Sequence, residues 1–281
     1  MDFDDEITGY LMSPIDTTHF LQNGFQIFRN VLPLELVEES RSALEESSLR
    51  SLRAAREELD CTAEVDIVQI IDDVAKGVRS KIETLSKATR DTLTGHISLE
   101  TRLSKEIRTL PTHKNVQAIV KALLNSEQVF MHMPPTPRFV LAGNLHAGVP
   151  PHQDIAYNKH LTNFIVIWIP LVDIDEDCGG VVVFQGSGHV PEQMVMGHPE
   201  HFWQDAVATN GFPPVHCVLQ RGDILALNKW IIHGSKANHS TKTRYSIDCR
   251  FFGEGDISTK HFLDLQKNLV IAPNEGNDES F

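Results

Sequence analysis

Apolar residues recur every three or four positions through LELVEESRSALEESSLRSLRAAREEL, residues 34–59, with Glu, Ser and Arg between them. That is the period of a helix with one buried face. The same spacing predicts helices over DIVQIIDDVAKGVRSKIETLSKA (66–88) and NVQAIVKALLN (115–125). Each is polar along one side, so each should lie against something larger than itself. Nearer the start, DTTHFLQNGFQIFRNVLP begins as a helix, crosses Asn23-Gly24 and then alternates in FQIFRNV as a short strand before Pro33. From residue 129 the pattern changes to short apolar segments separated by Pro, Gly, Asn and Asp. The predicted strands are RFVLAG, NFIVIWIPLV, GGVVVFQ, VHCVLQ, DILALN and RYSIDCRFFG. Short strands at such intervals, with no helices alternating between them, predict an antiparallel sandwich or barrel with the helices on one face. The expected organisation is one domain over 1–281: helix-rich over 34–125, an all-β core over about 129–255, and a polar, Pro- and Gly-containing loop over about 186–215 placed as a lid.

Composition narrows the class. At 281 residues, 41% hydrophobic and 22% charged, the chain is long enough to bury a real core and has the balance of an ordinary globular protein. The longest apolar run, FIVIWIPLV, falls well short of the roughly 20 residues that cross a bilayer. The acidic start MDFDDEITGY lacks the features of a secretory signal, so a cytoplasmic location is expected. Cys61, Cys178, Cys217 and Cys249 show no metal-module spacing and no disulfide framework. A net charge of −13 without a Lys/Arg cluster argues against nucleic acid as a partner. A small polar or zwitterionic molecule suits the acidic balance better. Oligomeric state stays open, a homodimer included, because the amphipathic helices can pack on the core or on a second subunit.

The chemistry concentrates in three places. In GVPPHQDIAYN, His152 and Asp154 are two residues apart, and on an extended strand both would project from one face towards one ion. Such an H-x-D pair also arises by chance in a chain of this size, as a polar strand end. In KWIIHGSKANHSTKTRYS, His233 follows a strand and an apolar run. Two imidazoles and one carboxylate on a triangular face suit Fe(II) and leave three positions open, two for a bidentate 2-oxo acid and one for O2. Arg244, eleven residues after His233, opens a strand. Its planar fork suits the distal carboxylate of a dicarboxylate co-substrate, and Ser246 shares its face. A surface ion pair is the plainer account of Arg244 alone.

Taken together, H-Q-D, GGVVVFQGSGH, H-G-S-x-x-N-x-S and R-x-S, with FLQNGFQIFRNVLP at the start, resemble the phytanoyl-CoA dioxygenase family of Fe(II)/2-oxoglutarate oxygenases over about residues 18–252. The resemblance implies a double-stranded β-helix, a jelly-roll relative of the cupins. It also implies iron on His152, Asp154 and His233, and 2-oxoglutarate beside Gln153, Trp168, Ser235 and Arg244. Trp168 reads equally as a core residue of its strand, and Ser235 as a cap on the turn after His233. The implied reaction is hydroxylation with release of succinate and CO2. Desaturation, ring closure, epimerisation and C–heteroatom cleavage are alternative outcomes on the same cofactors. Related halogenases carry a small residue where Asp154 stands, which disfavours halogenation. A non-catalytic jelly-roll binding or sensor protein is the alternative of another class, and it predicts a broken triad or a missing Arg.

Other polar groupings have plainer readings. His189, His198, Glu200, His201 and His216 sit in or beside the lid segment as surface or substrate-side groups, and Arg221-Gly222-Asp223 reads as a turn into the strand DILALN. Asp173, Asp175 and Asp177 lack the Gly and Glu of a calcium loop.

Overall fold

The structure, a computed structural model, describes residues 15–60, 64–75, 84–145, 149–190 and 209–273. Cys61, the tail 274–281 and residues 191–208, which hold His198, Glu200, His201 and most of the expected lid, lie outside them. Among the described residues no helix is long and apolar enough to cross a membrane.

Helix α1 (Thr18–Asn23) leads through Gly24 into strand β1 (Phe25–Phe28), as the sequence pattern predicts. Helix α2 (Leu34–Leu59) has the expected bounds and ends where Asp60 takes a left-handed conformation. Its buried face runs through Val37, Leu44, Leu52, Ala55 and Leu59, each of the larger side chains contributing about 1.5–3 kcal/mol. Serines on the same face are satisfied: Ser40 donates to the Glu106 carbonyl at 2.7 Å, and Ser48 pairs with the Tyr245 hydroxyl at 3.1 Å. Of the second predicted helix, 66–88, the part up to residue 75 lies in α3 (Glu64–Ala75); residues 84–86 are a turn and not helix, and α4 (Lys87–Leu93) starts where the predicted span ends. Two short helices that the apolar period does not reveal, α5 (Leu99–Leu103) and α6 (Lys105–Thr109), precede α7 (Lys114–Leu124).

The strands form two antiparallel sheets. The larger runs β1, β7 (Ile224–Asn228), β4 (Phe164–Pro170), β9 (Arg244–Gly253), β2 (Val129–His132), β10 (Phe262–Asp264) and β11 (Leu269–Ile271), with β3 (Thr136–Val140) paired to the first half of β9. The smaller is β6 (Pro214–His216), β5 (Gly180–Phe184) and β8 (His233–Lys236). Alternation assigns the faces. Ile165, Ile167 and Ile169 of β4, with Tyr245, Ile247, Cys249 and Phe251 of β9, pack towards the helices. Phe164, Val166 and Trp168 of β4, with Leu225 and Leu227 of β7, meet Val181 and Val183 of β5 between the sheets. This is the expected jelly-roll core with flanking helices. Strands β2, β8, β10 and β11 are additional to the predicted set, and VHCVLQ is shorter than expected. Its regular pairing stops at His216, although Cys217 still donates to Val181 and Leu219 pairs with Ile174.

The Arg221-Gly222-Asp223 turn is structural: Asp223 accepts from Arg29 at 2.6 Å and from the backbone of Asn30 and Gln220. Asp175 likewise folds back onto the amides of Asp177 and Cys178. Cys178, Cys217 and Cys249 are free and buried.

Candidate active site

His152 and Asp154 do not lie on a strand, which corrects the route by which the sequence brought them together. His152 forms an isolated bridge with His233, each backbone amide donating to the other's carbonyl at 2.9 and 3.0 Å. The chain then tightens into a 3-10 turn at Asp154–Tyr157. The turn is held by the Asn158 side chain on the Asp154 carbonyl and by Ile155 N–H on the Lys229 carbonyl. Bridge and turn thus achieve what strand alternation was expected to do. One potential ligand atom from each of His152, Asp154 and His233 lies within 4.8 Å of the other two, and His233 Nε2 stands 3.4 Å from Asp154 Oδ2. Among the described residues this is the one such cluster of potential metal ligands.

The protonation pattern suits a divalent ion. His152 Nδ1 lies 2.9 Å from the Pro150 carbonyl, and His233 Nδ1 lies 3.0 Å from the Ile231 carbonyl. A carbonyl accepts only, so Nδ1 carries a proton in each ring, which leaves Nε2 as the atom turned to the other ligands. Burial, with His233 alongside, pushes the His152 pKa down to about 4, which keeps the imidazole neutral at physiological pH. Burial works against the charge on Asp154, but Arg250, His233 and His152 outweigh it and hold its carboxyl below the usual range. Arg250 donates to Asp154 Oδ1 at 2.7 Å, whereas Oδ2 is buried with no hydrogen-bond partner. An ionised oxygen in that condition is costly unless a cation meets it. Two imidazole nitrogens and one orphaned carboxylate oxygen therefore fit an ion of the Fe(II) class.

Arg244 is 5% exposed and its Nε has no partner. Among the described residues its one hydrogen bond runs from Nη1 to the Lys236 carbonyl at 3.3 Å, three residues along β8 from His233, or about 10 Å of strand. Burial lowers its pKa to about 10, leaving it protonated at neutral pH. A buried cation short of partners on the inner face of the core suits a carboxylate ligand. Gly179 makes room for it: its φ is +81°, and a Cβ there would lie 2.8 Å from Arg244 Nη1 and 2.5 Å from the Ala237 carbonyl oxygen. Gly179→Ala is accordingly expected to cost about 1–3 kcal/mol from the backbone alone and to weaken any ligand of Arg244. A denaturant midpoint and an anion titration on the same variant check both effects.

The remaining predicted residues take up supporting positions. The Gln153 amide donates to the carbonyls of Trp230 at 2.7 Å and Val190 at 3.2 Å, bracing the segments on either side of the ligands. Ser235 accepts from Val149 N–H at 2.7 Å, while its own amide donates to the Val149 carbonyl, so it holds the approach to His152. Trp168 is part of the apolar layer between the sheets, across from Asp248. Ser246 is buried and paired with Arg138 and Pro170. Asn238 and Ser240, the N-x-S of the motif, organise the β8–β9 turn: the Asn238 amide donates to the carbonyls of Val140, Leu141 and Lys242, and the Ser240 hydroxyl donates to Asn238 Oδ1. Of the other histidines, His216 lies 2.6 Å from the Gly179 carbonyl.

Two residues absent from the sequence reading belong to the site. Arg250 bridges Asp154 and Asp248, the latter at 3.0 Å, and these carboxylates hold its pKa above the usual range against the effect of burial. Burial pushes the Asp248 carboxyl up, with Arg250 opposing. The signal was present in RYSIDCRFFG: Arg244, Ser246, Asp248 and Arg250 alternate with Tyr245, Ile247, Cys249 and Phe251, a polar row on one face of a buried strand.

The profile of the phytanoyl-CoA dioxygenase (PhyH) family matches residues 20–246, which include all three triad members and Arg244. A peroxisomal phytanoyl-CoA dioxygenase of Bos taurus is 29% identical over 128 residues, 42% of this chain and 36% of that protein, so the match spans about a third of the relative's length. Among solved structures, the non-haem monooxygenase ThoJ in its apo form superposes with a TM-score of 0.60 at 14% identity, over 86% of this chain and 79% of that one. SnoK, a non-haem α-ketoglutarate-dependent carbocyclase from nogalamycin biosynthesis, gives 0.56 at 16% identity over 95% of each chain. SnoN, an epimerase from the same biosynthesis, gives 0.53 at 17% identity over 94% of this chain and 90% of that one. These likenesses establish a shared fold, and the family match over most of its length shows that the chain belongs to the phytanoyl-CoA dioxygenase family.

Proposed function

We propose that this protein is an Fe(II)- and 2-oxoglutarate-dependent dioxygenase that hydroxylates an unactivated C–H bond of a small polar metabolite or natural-product intermediate. The observation that carries the reading is the convergence of two imidazoles with an orphaned carboxylate oxygen, on a core whose inner face also buries an arginine short of partners. His152, Asp154 and His233 would hold the metal, and Arg244 would hold the distal carboxylate of the co-substrate. Bound there, iron with 2-oxoglutarate and O2 supplies oxidative decarboxylation to succinate and CO2 together with oxidation of a substrate C–H bond.

The chain's own contribution is placement and exclusion of water. The Pro150 and Ile231 carbonyls fix both imidazole tautomers and Arg250 fixes Asp154, so the donors are oriented before metal arrives. Arg244 neutralises the co-substrate and sets its reach, while Trp168 and its apolar neighbours keep bulk water from the space between the sheets. The same fold serves an epimerase and a carbocyclase. The carboxylate at position 154, which fills the place a halide would need, favours hydroxylation or another oxidation over halogenation, and the fold does not separate those oxidations. An intact triad and a buried Arg244 weigh against a non-catalytic binding protein, which predicted the loss of one or the other.

Anaerobic addition of Fe(II) and 2-oxoglutarate to the metal-free protein is expected to raise the visible charge-transfer band of the chelate. A wild-type protein that binds neither and shows no band ends this reading. Succinate release across a metabolite panel then reports the substrate.

A further inference from the structure

A cavity of about 370 Å³ opens beside the ligand cluster, and Arg102, His132, Asp248, Arg250 and Lys260 are among its walls. Arg250 joins it to the metal site, since the guanidinium that lines the cavity also donates to Asp154. Although they point into the core, the Arg250 and Asp248 side chains are 22% and 27% exposed, so the cavity reaches solvent. It is separate from the co-substrate's proposed anchor: Arg244 and Arg250 stand six residues apart on the inner face of β9, about 20 Å of strand.

The wall is unbalanced in charge. Arg250 is shared between two carboxylates, whereas Arg102 has Asp91 and Lys260 has Asp154 nearby without a close pairing to either. Arg102 donates to the carbonyls of Pro135 at 2.9 Å and Pro134 at 3.4 Å, and Lys260 to the Asn158 side-chain oxygen at 3.2 Å. Neither forms an ion pair with a described residue. Burial holds the pKa of each below its ordinary value, the condition a counter-anion relieves. A second sign of an absent ligand is His132, 7% exposed, whose Nδ1 is buried without a partner while Nε2 meets the Ser258 hydroxyl at 3.0 Å. Three cations face one wall carboxylate in a chain whose net charge is −13, so the local field opposes the global one.

We infer that this cavity receives the substrate to be oxidised and that the substrate carries a carboxylate, which Lys260 and Arg102 bind while Arg250 separates it from the metal ligands. The inference rests on the oxygenase reading and names its substrate class. The volume lies near the lower end of small-molecule sites, so the ligand is a compact acid.

The test measures, by calorimetry on the full chain with Zn(II) and saturating 2-oxoglutarate, the binding of matched acids and amides: hexanoate beside hexanamide, phenylacetate beside phenylacetamide. Saturating co-substrate keeps the probes off Arg244. The acids are expected to bind at least about tenfold more tightly than their amides, as a charge-assisted contact implies. Lys260→Met should erase most of that ratio and Lys260→Arg should restore it, which a purely structural role of Lys260 would not produce. Equal binding of acid and amide, no measurable binding of any probe, or an unchanged ratio in Lys260→Met overturns the inference. The wild-type chelate band reports separately on the oxygenase reading, so a band without acid preference sinks this inference alone.

Discussion

Replacing Arg244 with alanine is expected to raise the dissociation constant for 2-oxoglutarate by between about 30-fold and several thousandfold. The range follows from the cost of about 2–5 kcal/mol for truncating one partner of a buried, hydrogen-bonded charge pair. The effect should fall on co-substrate and spare the metal, because Arg244 hydrogen-bonds on the Lys236 carbonyl and the ligands' own braces are Pro150, Ile231 and Arg250. Stability should move the other way. In the ligand-free protein Arg244 is a buried cation whose Nε lacks a partner, so its removal is expected to leave the unfolding free energy unchanged or higher. Arg244→Lys keeps the charge and loses the fork, and should bind between the two. Titration of the chelate band measures the affinities and urea unfolding the stabilities. An Arg244→Ala protein with native co-substrate affinity would remove Arg244 from the site.

The second large effect is expected at Arg250. In the metal-free protein, Arg250→Met leaves the buried Asp154 and the part-exposed Asp248 without the cation they share. Breaking such a pair costs about 3–5 kcal/mol. Asp154 Oδ1 would also lose its donor, so metal affinity should fall by about 10–100-fold, the usual cost of disturbing a ligand's support. Urea midpoints without metal and a chelator competition with Zn(II) check the two parts. A loss below about 0.5 kcal/mol in the metal-free form would show that solvent, and not Arg250, compensates these carboxylates.

The long elements were readable because their patterns are long. Helix α2 was bounded correctly from 34 to 59, where seven turns of apolar spacing leave little freedom. The short helices α5 and α6, of five residues each, complete less than two turns and offer no period to detect. They begin at Ser98 and Ser104, and of these only Ser98 uses its side chain as a cap, a weak signal among many serines. Strands β2, β10 and β11 escaped for the same reason, being three or four residues long.

At the site, the triad and Arg244 were legible as an ordered set of residue types, while the backbone that assembles them was not. His152 and Asp154 are two apart on paper, yet a cross-chain bridge and a 3-10 turn bring them together, and sequence spacing does not distinguish that from a strand. Arg250 and Asp248 were missed for a different reason. The R-x-S motif ends at Ser246, whereas the polar alternation of β9 runs four residues further, through Asp248 to Arg250, where no motif marks it. Global charge does not describe the cavity, because 38 acidic residues distributed along the chain say little about the few side chains lining one recess.

The bridge between His152 and His233 has a consequence for how metal is gained and lost. About 80 residues of chain separate the two imidazoles, and closing a loop of that size in a free polymer costs about 4–5 kcal/mol of entropy. Here the two reciprocal backbone hydrogen bonds have closed it before any ion arrives. The ion thus meets a clasp already shut, and its affinity carries none of that entropic cost. Local opening of this bridge would restore the loop's freedom and eject the metal, so metal exchange should keep time with the fraying of the bridge and not with the unfolding of the whole protein.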